Sequence, residues 1–367
     1  MLWSVRSGQP LSRKNKLEIE EEGVAMLVAR MPEAFKVDYL DWPIPQVEKD
    51  KVLLKNLYLG VCASDQQIYH GRHKYMKFPL VMGHEVSAVV EAVGTEVHDF
   101  RPGDRVVLQP QVVCGKCYPC SVGRFNVCEQ LKVIGVHMDG CACEYIQVSP
   151  WNLHKLPDSI SDVDAALIEP LAVGVGSAHR AGDIKGANVA VIGAGIIGNF
   201  TAQAAKALGA ERVLISDIMP KKLKAAQDCG IDYCVNAEKA TLKEAITNAF
   251  GDFRKADVII DCAASKGSFH SALDAARKNS RIVISGNYKD VMDFDVPVIQ
   301  RSEISLIGHM MYVKEDFATA IECLADGRIH TDGLITQHFP LSEYHKAFEY
   351  ADANPTEIIK MMIDIAK

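Results

Sequence analysis

The sequence of 367 residues predicts an α/β protein that combines an antiparallel β-barrel-like domain with a doubly wound parallel sheet. Three observations support this fold class. The chain is too long for one hydrophobic core of typical size. Short apolar runs, separated by turn residues, continue to about residue 160 and are typical of antiparallel strands. After Gly186, apolar strands alternate with helical stretches, which is the pattern of a parallel sheet covered by helices.

The first domain is expected over residues 24–173. It follows residues 1–23, a polar and aperiodic segment that we interpret as a loose tail. Gly, Pro and Asp punctuate the domain, as in the turns at 101–104 and 149–152. Its strands are expected in the runs KVLLKNLYLGV, HEVSAVVEAVG, DRVVLQPQV and CEYIQVS.

The second domain is expected over residues 174–312. Its strands are predicted in the runs NVAVIGAG, RVLISD, DVIIDCAAS and RIVISG, with helical stretches between them. Residues 313–367 hold two helical stretches and a closing strand, IIKMMIDI. Because this last segment is too short to fold alone, we expect it to return to the first domain.

The composition argues against two classes of partner. The net charge of −7, from 40 basic and 47 acidic residues, gives no reason to expect binding to nucleic acid. No apolar run approaches the roughly 20 residues of a membrane span, and the N-terminal segment lacks the apolar stretch of a signal peptide. Eleven cysteines in such a chain fit a reducing cytosol better than a disulfide scaffold. We therefore expect a cytoplasmic protein.

The most informative feature is a group of four cysteines within about 110–130. Two-residue gaps separate the first three, and the fourth follows eight positions later. Four soft thiolates suit a structural Zn²⁺ site that leaves no position open for chemistry. An iron–sulfur cluster and a pair of disulfides are the alternatives. The candidate ligands are Cys114, Cys117, Cys120 and Cys128.

A glycine-rich turn, GAGIIG, follows the first strand of the second domain and opens a helix. Such glycines let the backbone approach a pyrophosphate, whose charge the helix N-terminus attracts. Asp217 ends the next strand, where a carboxylate would bind the adenosine ribose and repel a 2′-phosphate, so NAD is favoured over NADP. Lys221 weakens this preference, and a ligand-free glycine turn is the alternative. The candidate cofactor-binding residues are Gly193, Gly195, Ile197, Gly198, Asp217 and Lys222.

Further motifs accompany these two features: VCASD at 61–65, GHE at 83–85, DG..CEY at 139–145 and EPLAV at 169–173. From about residue 25 to its end, the chain resembles the zinc-containing medium-chain dehydrogenase/reductase family and, within it, the polyol (sorbitol-like) branch. The resemblance implies a GroES-like antiparallel β-barrel catalytic domain and a Rossmann cofactor domain.

The resemblance also implies a catalytic zinc bound by Cys62, His84 and Glu169, with water or substrate in the fourth position. A thiolate, an imidazole and a carboxylate are good zinc ligands, and three of them leave an open Lewis-acid site. Glu85 directly follows His84 and is a candidate fourth ligand in place of water. With glutamate at position 169, the EPLAV motif resembles that of the polyol branch, whereas simple alcohol dehydrogenases usually have cysteine at this position. A buried thiol and a core histidine are the alternatives for Cys62 and His84.

Ser64 matches the relay hydroxyl that, in this family, takes the substrate proton and passes it along the cofactor ribose. The family often ends this relay at a histidine, but Gln67 occupies that position and cannot titrate near neutral pH. Water, His70, Glu85 or Glu144 could provide another exit.

Three departures from the family concern the cleft. Ala63 replaces the usual glycine, and Ala142, in the run CACEY, stands where relatives commonly have phenylalanine. Relatives that act on sugar acids often have an arginine near 308–312, where this chain has GHMMY. Arginine is the expected bidentate partner of a carboxylate, so its absence favours a neutral polyol or diol.

These features predict an NAD-dependent enzyme with two zinc ions per subunit that oxidises a secondary hydroxyl of a polyol or sugar alcohol. The first alternative is the same chemistry on a sugar acid or sugar phosphate. The second is a cofactor-binding protein that has lost turnover. The resemblance implies a homodimer or homotetramer, assembled through the cofactor domains.

Overall fold

The computed structural model describes residues 25–366, so the segment interpreted as a tail lies outside the described residues. Its first part consists mainly of short strands. The elements are β1 (Ala25–Met31), β2 (Asp38–Pro43), β3 (Val52–Val61), α1 (Ala63–Tyr69), β4 (Leu80–Val81), β5 (Glu85–Val93), β6 (Arg105–Leu108), β7 (Gln111–Val112), α2 (Tyr118–Ser121), β8 (Lys132–Val133), β9 (Tyr145–Val148), β10 (Leu153–Lys155), α3 (Asp162–Ala165) and α4 (Ile168–Arg180).

Strands and helices then alternate, before a final segment of two helices and two strands. The elements are β11 (Asn188–Ile192), α5 (Ile196–Ala207), β12 (Arg212–Asp217), α6 (Pro220–Asp228), β13 (Tyr233–Asn236), α7 (Leu242–Phe250), β14 (Val258–Asp261), α8 (Lys266–Ala275), β15 (Arg281–Ile284), α9 (Val296–Ser302), β16 (Ser305–Gly308), α10 (Lys314–Ala325), β17 (Ile335–Pro340), α11 (Tyr344–Ala353) and β18 (Lys360–Asp364). Short 3₁₀ turns lie at Phe125–Val127, Pro150–Asn152 and Leu341–Glu343.

The parallel sheet has the strand order β13-β12-β11-β14-β15-β16. All five residues of β11 are buried, because helices cover both faces of the sheet. The order reverses next to β11, and ligands of such sheets bind at this point, outside the carboxyl ends of the strands. The larger sheet of the first part has the order β10-β6-β5-β3-β18-β17, with β9 also paired to β3. The predicted fold class is confirmed.

The C-terminal strand returns to the first sheet, where β18 lies antiparallel to β3. By contrast, α10 packs on α4, and its Phe317 belongs to the hydrophobic core that also contains Leu171 of α4 and Val189 of β11. The boundary expected between residues 173 and 174 falls inside α4, a helix that also contacts β5 and β6. No single residue therefore separates the two parts.

None of the helices within residues 25–366 combines the length and the apolar character that a bilayer span requires.

Candidate active site

Two adjacent strand ends bring the first candidate ligands together. Cys62 directly follows β3, and His84 directly precedes β5. These strands are antiparallel neighbours with Gly60 opposite Glu85, so the end of one lies beside the start of the other. The sulfur of Cys62 and one ligand atom each of His84 and Glu85 lie within 4.8 Å of one another. A thiolate, an imidazole and a carboxylate at this spacing fit one zinc ion.

Asp65 faces the ring of His84 from the first turn of α1. Its Oδ1 lies 3.6 Å from Nδ1 of His84, and both side chains are buried. Burial alone would lower the pKa of His84, but the carboxylate of Asp65, with Cys62 and Glu169, raises it well above its usual value. The carboxylate lies on the Nδ1 side of the ring without a hydrogen bond to it, on the side where acidic partners commonly orient zinc-binding histidines.

Glu169 lies in the first turn of α4 and is buried beside these residues. Its Oε1 accepts a hydrogen bond of 2.7 Å from the hydroxyl of Tyr312. Burial raises the pKa of Glu169 to about 7, and the charges of His84 and Glu85 also act on it. Glu169 therefore lies next to the compact group that Cys62, His84 and Glu85 form among the described residues. It is not itself a member of that group.

Glu85 forms an ion pair with Lys360 of β18, and each side chain is only 2% exposed. Burial alone would lower the pKa of Lys360, but Glu85 and Cys62 raise it, so the ammonium ion is favoured. Gly60 provides the space, because a Cβ at this position would overlap the carboxylate of Glu85. A cation thus holds the candidate fourth ligand next to the other two.

The residues considered for the proton route have hydrogen-bond partners that the sequence did not indicate. Gln67 accepts a hydrogen bond of 3.0 Å from Lys289, which belongs to the loop after β15, so the contact crosses from one domain to the other. His70 binds Asp352 at 2.9 Å, and Glu144 accepts a bond from the backbone of β1. The last two groups have structural partners away from Ser64, whose relay role stays a prediction.

The four cysteines of the lobe form a second group, with all sulfur atoms within 4.8 Å of one another. The sulfur of Cys117 lies 3.4 Å from that of Cys120 and 3.8 Å from that of Cys128. Tetrahedral zinc with bonds of about 2.3 Å separates its sulfur ligands by about 3.8 Å, whereas a disulfide bond is about 2 Å long. The backbone N–H of Lys116 lowers the pKa of Cys114 to about 6, whereas burial raises the pKa of Cys120 to about 12. This group fits a single structural zinc.

The glycine turn has the geometry that a dinucleotide requires. Gly193 has a φ of +94°, which favours glycine, and a Cβ on Gly198 would collide with the carbonyl of Gly193. A Cβ on Gly195 would point into open space at the N-terminus of α5, where a pyrophosphate could approach the backbone. Ile197 lies in the first turn of this helix.

Asp217 stands at the end of β12 beside this turn. Its two oxygens accept bonds from the backbone N–H groups of Ala194, at 2.6 Å, and Met219, at 2.8 Å. Lys221 pairs with Glu357 at 2.8 Å. Lys222, two positions into α6, is partly exposed, and its role in cofactor binding stays a prediction.

Comparisons with known proteins agree with this geometry. A family model for the alcohol dehydrogenase GroES-like domain matches residues 48–158, and one for zinc-binding dehydrogenase matches residues 197–326. Sorbitol dehydrogenase of Bacillus subtilis (strain 168) is 33% identical over 88% of this chain and 92% of its own length. The chain belongs to the zinc-containing medium-chain dehydrogenases, in their polyol branch.

Two further relatives of these dehydrogenases are informative. D-arabitol-phosphate dehydrogenase of Enterococcus avium is 32% identical over 85% of this chain and 89% of its own length. The crystal structure of a short chain alcohol dehydrogenase from Escherichia coli CFT073, complexed with NADH, has a TM-score of 0.86 and 30% identity, and the match covers 94% of this chain and 100% of that one. The chain is accordingly an oxidoreductase acting on alcohols, with zinc and NAD as its cofactors.

Three residues of this medium-chain dehydrogenase site escaped the sequence reasoning: Asp65, Tyr312 and Lys360. A lysine inside the apolar run IIKMMIDI was a usable signal, because a buried cation requires an anionic partner. Asp65 lies within the VCASD motif, although only its contact with His84 defines its role. For Tyr312 the sequence indicated only a position close to the cleft.

Proposed function

We propose that this protein oxidises a secondary hydroxyl of a polyol or sugar alcohol to a ketone with NAD, in a reversible reaction. The observation that carries the proposal is the convergence of Cys62, His84 and a carboxylate between the β-domain and the NAD-binding domain. The similarity to a sorbitol dehydrogenase supports the substrate class.

The residues around this group have distinct roles in the proposed reaction. Cys62, His84 and a carboxylate would hold a zinc ion, which would supply Lewis acidity for the deprotonation of a substrate hydroxyl. Asp65 orients His84, and Lys360 holds Glu85 close by.

Ser64 is the proposed acceptor of the hydroxyl proton, and a bound NAD would supply the hydride acceptor. It lies partly exposed in the first turn of α1, two residues after Cys62. The cross-domain contact of Gln67 with Lys289 lies on the next turn of this helix, where the proton would continue toward solvent. Because Gln67 itself cannot titrate, we propose that water carries the proton over this last step.

A sugar phosphate is the second candidate substrate class. Lys289 is exposed beside Gln67 and offers a cation for an anionic group, and the chain is similar to a D-arabitol-phosphate dehydrogenase. A sugar acid has less support, because the segment 309–312 contains no arginine. A cofactor-binding protein without turnover is the remaining alternative, and the intact group of Cys62, His84 and Glu85 argues against it.

Reduction of NAD, followed by absorbance, separates these possibilities when purified protein is offered sugar alcohols, diols, hexonates and polyol phosphates in parallel. We expect NADH with at least one sugar alcohol, and none with the Cys62→Ala variant, which keeps the four-cysteine lobe intact. Best turnover with a polyol phosphate would favour the second class. Wild-type protein that holds two zinc ions per subunit but forms no NADH with any compound would refute the dehydrogenase proposal.

We also propose a homo-oligomer assembled through the outer strand of the parallel sheet, β16. Its outer edge has no neighbouring strand in the described chain, and Val291 and Val296 are exposed in the preceding segment. Sedimentation equilibrium of the wild type and a Val296→Lys variant tests this, since only the variant should dissociate to a monomer. The cytosolic location expected from the sequence stays a prediction.

A further inference from the structure

The four-cysteine lobe makes a partly buried polar contact with the segment that follows β16. Asn126 lies on the 3₁₀ turn Phe125–Val127, two residues before Cys128, and is only 1% exposed. Its side-chain amide donates a hydrogen bond of 2.6 Å to the carbonyl of Met310. A buried amide is costly unless it is bonded. Here the nitrogen is bonded to the other domain, whereas Oδ1 has no hydrogen-bond partner among the described residues.

This contact is made next to a strained backbone position. Met311 has a φ of +50°, a left-handed conformation that is unfavourable for a residue other than glycine. Such conformations persist where the surrounding structure determines them, and they are concentrated at functional sites. His309, which directly precedes Met310, is also fixed, because its N–H donates a hydrogen bond of 3.0 Å to the carbonyl of Ile284.

The strained turn determines where Tyr312 points. The carbonyl of Tyr312 accepts a bond of 2.9 Å from the buried side chain of Gln111, on β7. Its hydroxyl donates to Oε1 of Glu169 at 2.7 Å, and the ring is 1% exposed. A continuous path of contacts therefore runs from the lobe, through Met310 and Tyr312, to a carboxylate beside the catalytic group.

Trp151 provides a second, indirect link between the lobe and the same segment. The ring of Phe125 meets that of Trp151 edge to face, with centroids 5.8 Å apart. The same Trp151 ring also makes a cation–π contact, because the ammonium of Lys314 lies 4.7 Å from its centroid. The lobe thus contacts Met310 directly and is linked to Lys314 through Trp151.

We propose that the four-cysteine lobe is a positioning element of the active site, in which Asn126 holds the turn at Met310 and Met311 so that Tyr312 orients Glu169. The inference rests on the proposed zinc site, whose outer hydrogen-bond partners it extends. Asn126 is a positioning residue, since it touches neither substrate nor metal. Outer partners that orient a ligand typically change metal affinity or activity by about 10–100-fold when they are removed.

Asn126→Ser, Tyr312→Phe and the double variant test this path, with Tyr118→Phe as the matched control. Tyr118 is an exposed residue of the same lobe that makes no side-chain contact with the segment in the described structure. The first readout is the rate at which a chelator removes each zinc, with the two phases assigned by the Cys62→Ala protein. The second is kcat with the best alcohol.

We expect Asn126→Ser and Tyr312→Phe each to speed release of the catalytic zinc by about tenfold and to lower kcat, with the double variant no worse than either. Release of the lobe zinc should stay unchanged in Tyr312→Phe, and Tyr118→Phe should match the wild type.

Multiplicative effects in the double variant, or an Asn126→Ser protein that changes only thermal stability and the lobe zinc, would overturn the inference. If Asn126→Ser does not fold, Asn126→His keeps a donor at this position and should retain wild-type release of the catalytic zinc; rapid release from it would also overturn the inference. The zinc-release assay needs no turnover, so it stays decisive even if no alcohol is oxidised.

Discussion

Glu85 and Lys360 show how a single buried pair can control a candidate metal ligand. The two side chains come from strands at opposite ends of the sequence and are almost completely removed from solvent. A buried ion pair contributes little net stability, because desolvation offsets the attraction, but removal of one partner leaves an uncompensated charge. The pair therefore matters for the position and charge of Glu85.

Lys360→Met should destabilise the protein most when zinc is absent. The change leaves the carboxylate of Glu85 buried without a cation, which costs about 3 kcal/mol of unfolding free energy. Bound zinc would compensate for much of this charge, so the loss should be smaller in the zinc-loaded protein. Denaturant unfolding with and without prior zinc removal measures both values.

The matched control is the double variant Lys360→Met, Glu85→Gln, which removes both charges and should recover most of the stability. Equal losses for Lys360→Met with and without zinc would mean that Glu85 does not face the metal.

At the scale of elements, β10 and α10 join the two parts of the molecule through a half-buried histidine. His154 of β10 stacks on Phe317 of α10, with ring centroids 4.5 Å apart, and bonds to Gln109 at 2.8 Å. Burial, together with the charge of Lys314, lowers the pKa of His154 to about 4. In the folded protein the imidazole therefore stays neutral to a pH well below the usual titration range of histidine.

This junction should weaken as the pH falls from about 6.5 to 4. In that window the unfolded chain binds a proton at residue 154 and the folded chain does not, so protonation favours unfolding. Between pH 7 and 5 the residue should account for a loss on the order of 2 kcal/mol. Urea unfolding of the wild type and His154→Gln at both pH values measures it, since the variant keeps an amide toward Gln109. The same pH dependence in both proteins would assign the loss to other groups.

At the scale of the whole molecule, three separate contacts connect the β-domain and the parallel sheet around the site. They are the bonds of Asn126 with Met310, of Gln111 with Tyr312 and of Lys289 with Gln67. The bond of Gln111 is buried and that of Asn126 is partly buried, whereas the bond of Lys289 is exposed. The first two join β7 and the lobe to the segment that carries Tyr312.

The sequence predicted those parts of the fold that depend on local pattern. The parallel strands are continuous apolar runs, and the glycine turn carries its own requirement for a positive φ at Gly193. Cys62 and His84 were also accessible, because their motifs bracket two antiparallel strands and resemble a known family. In each case a short stretch of chain contains most of the physical information.

Other parts of the site depend on packing between distant segments. Lys360 reaches Glu85 only because β18 pairs with β3, a register that no local pattern in either strand specifies. Asn126 resembles any polar turn residue until the lobe is placed against Met310. Packing also decides between Glu85 and Glu169: the family resemblance made both candidate ligands, and only the assembled structure places Glu85 in the compact group.

Anomalous diffraction at the zinc edge, from crystals of the full chain grown with NADH, tests the central claim most directly. We expect two zinc peaks per subunit, one within the four-cysteine lobe and one bound by Cys62, His84 and a carboxylate, with a coordination position open toward the nicotinamide ring. A peak in the lobe alone, or a second ion enclosed by four protein ligands in every subunit and inaccessible to an alcohol, would contradict it.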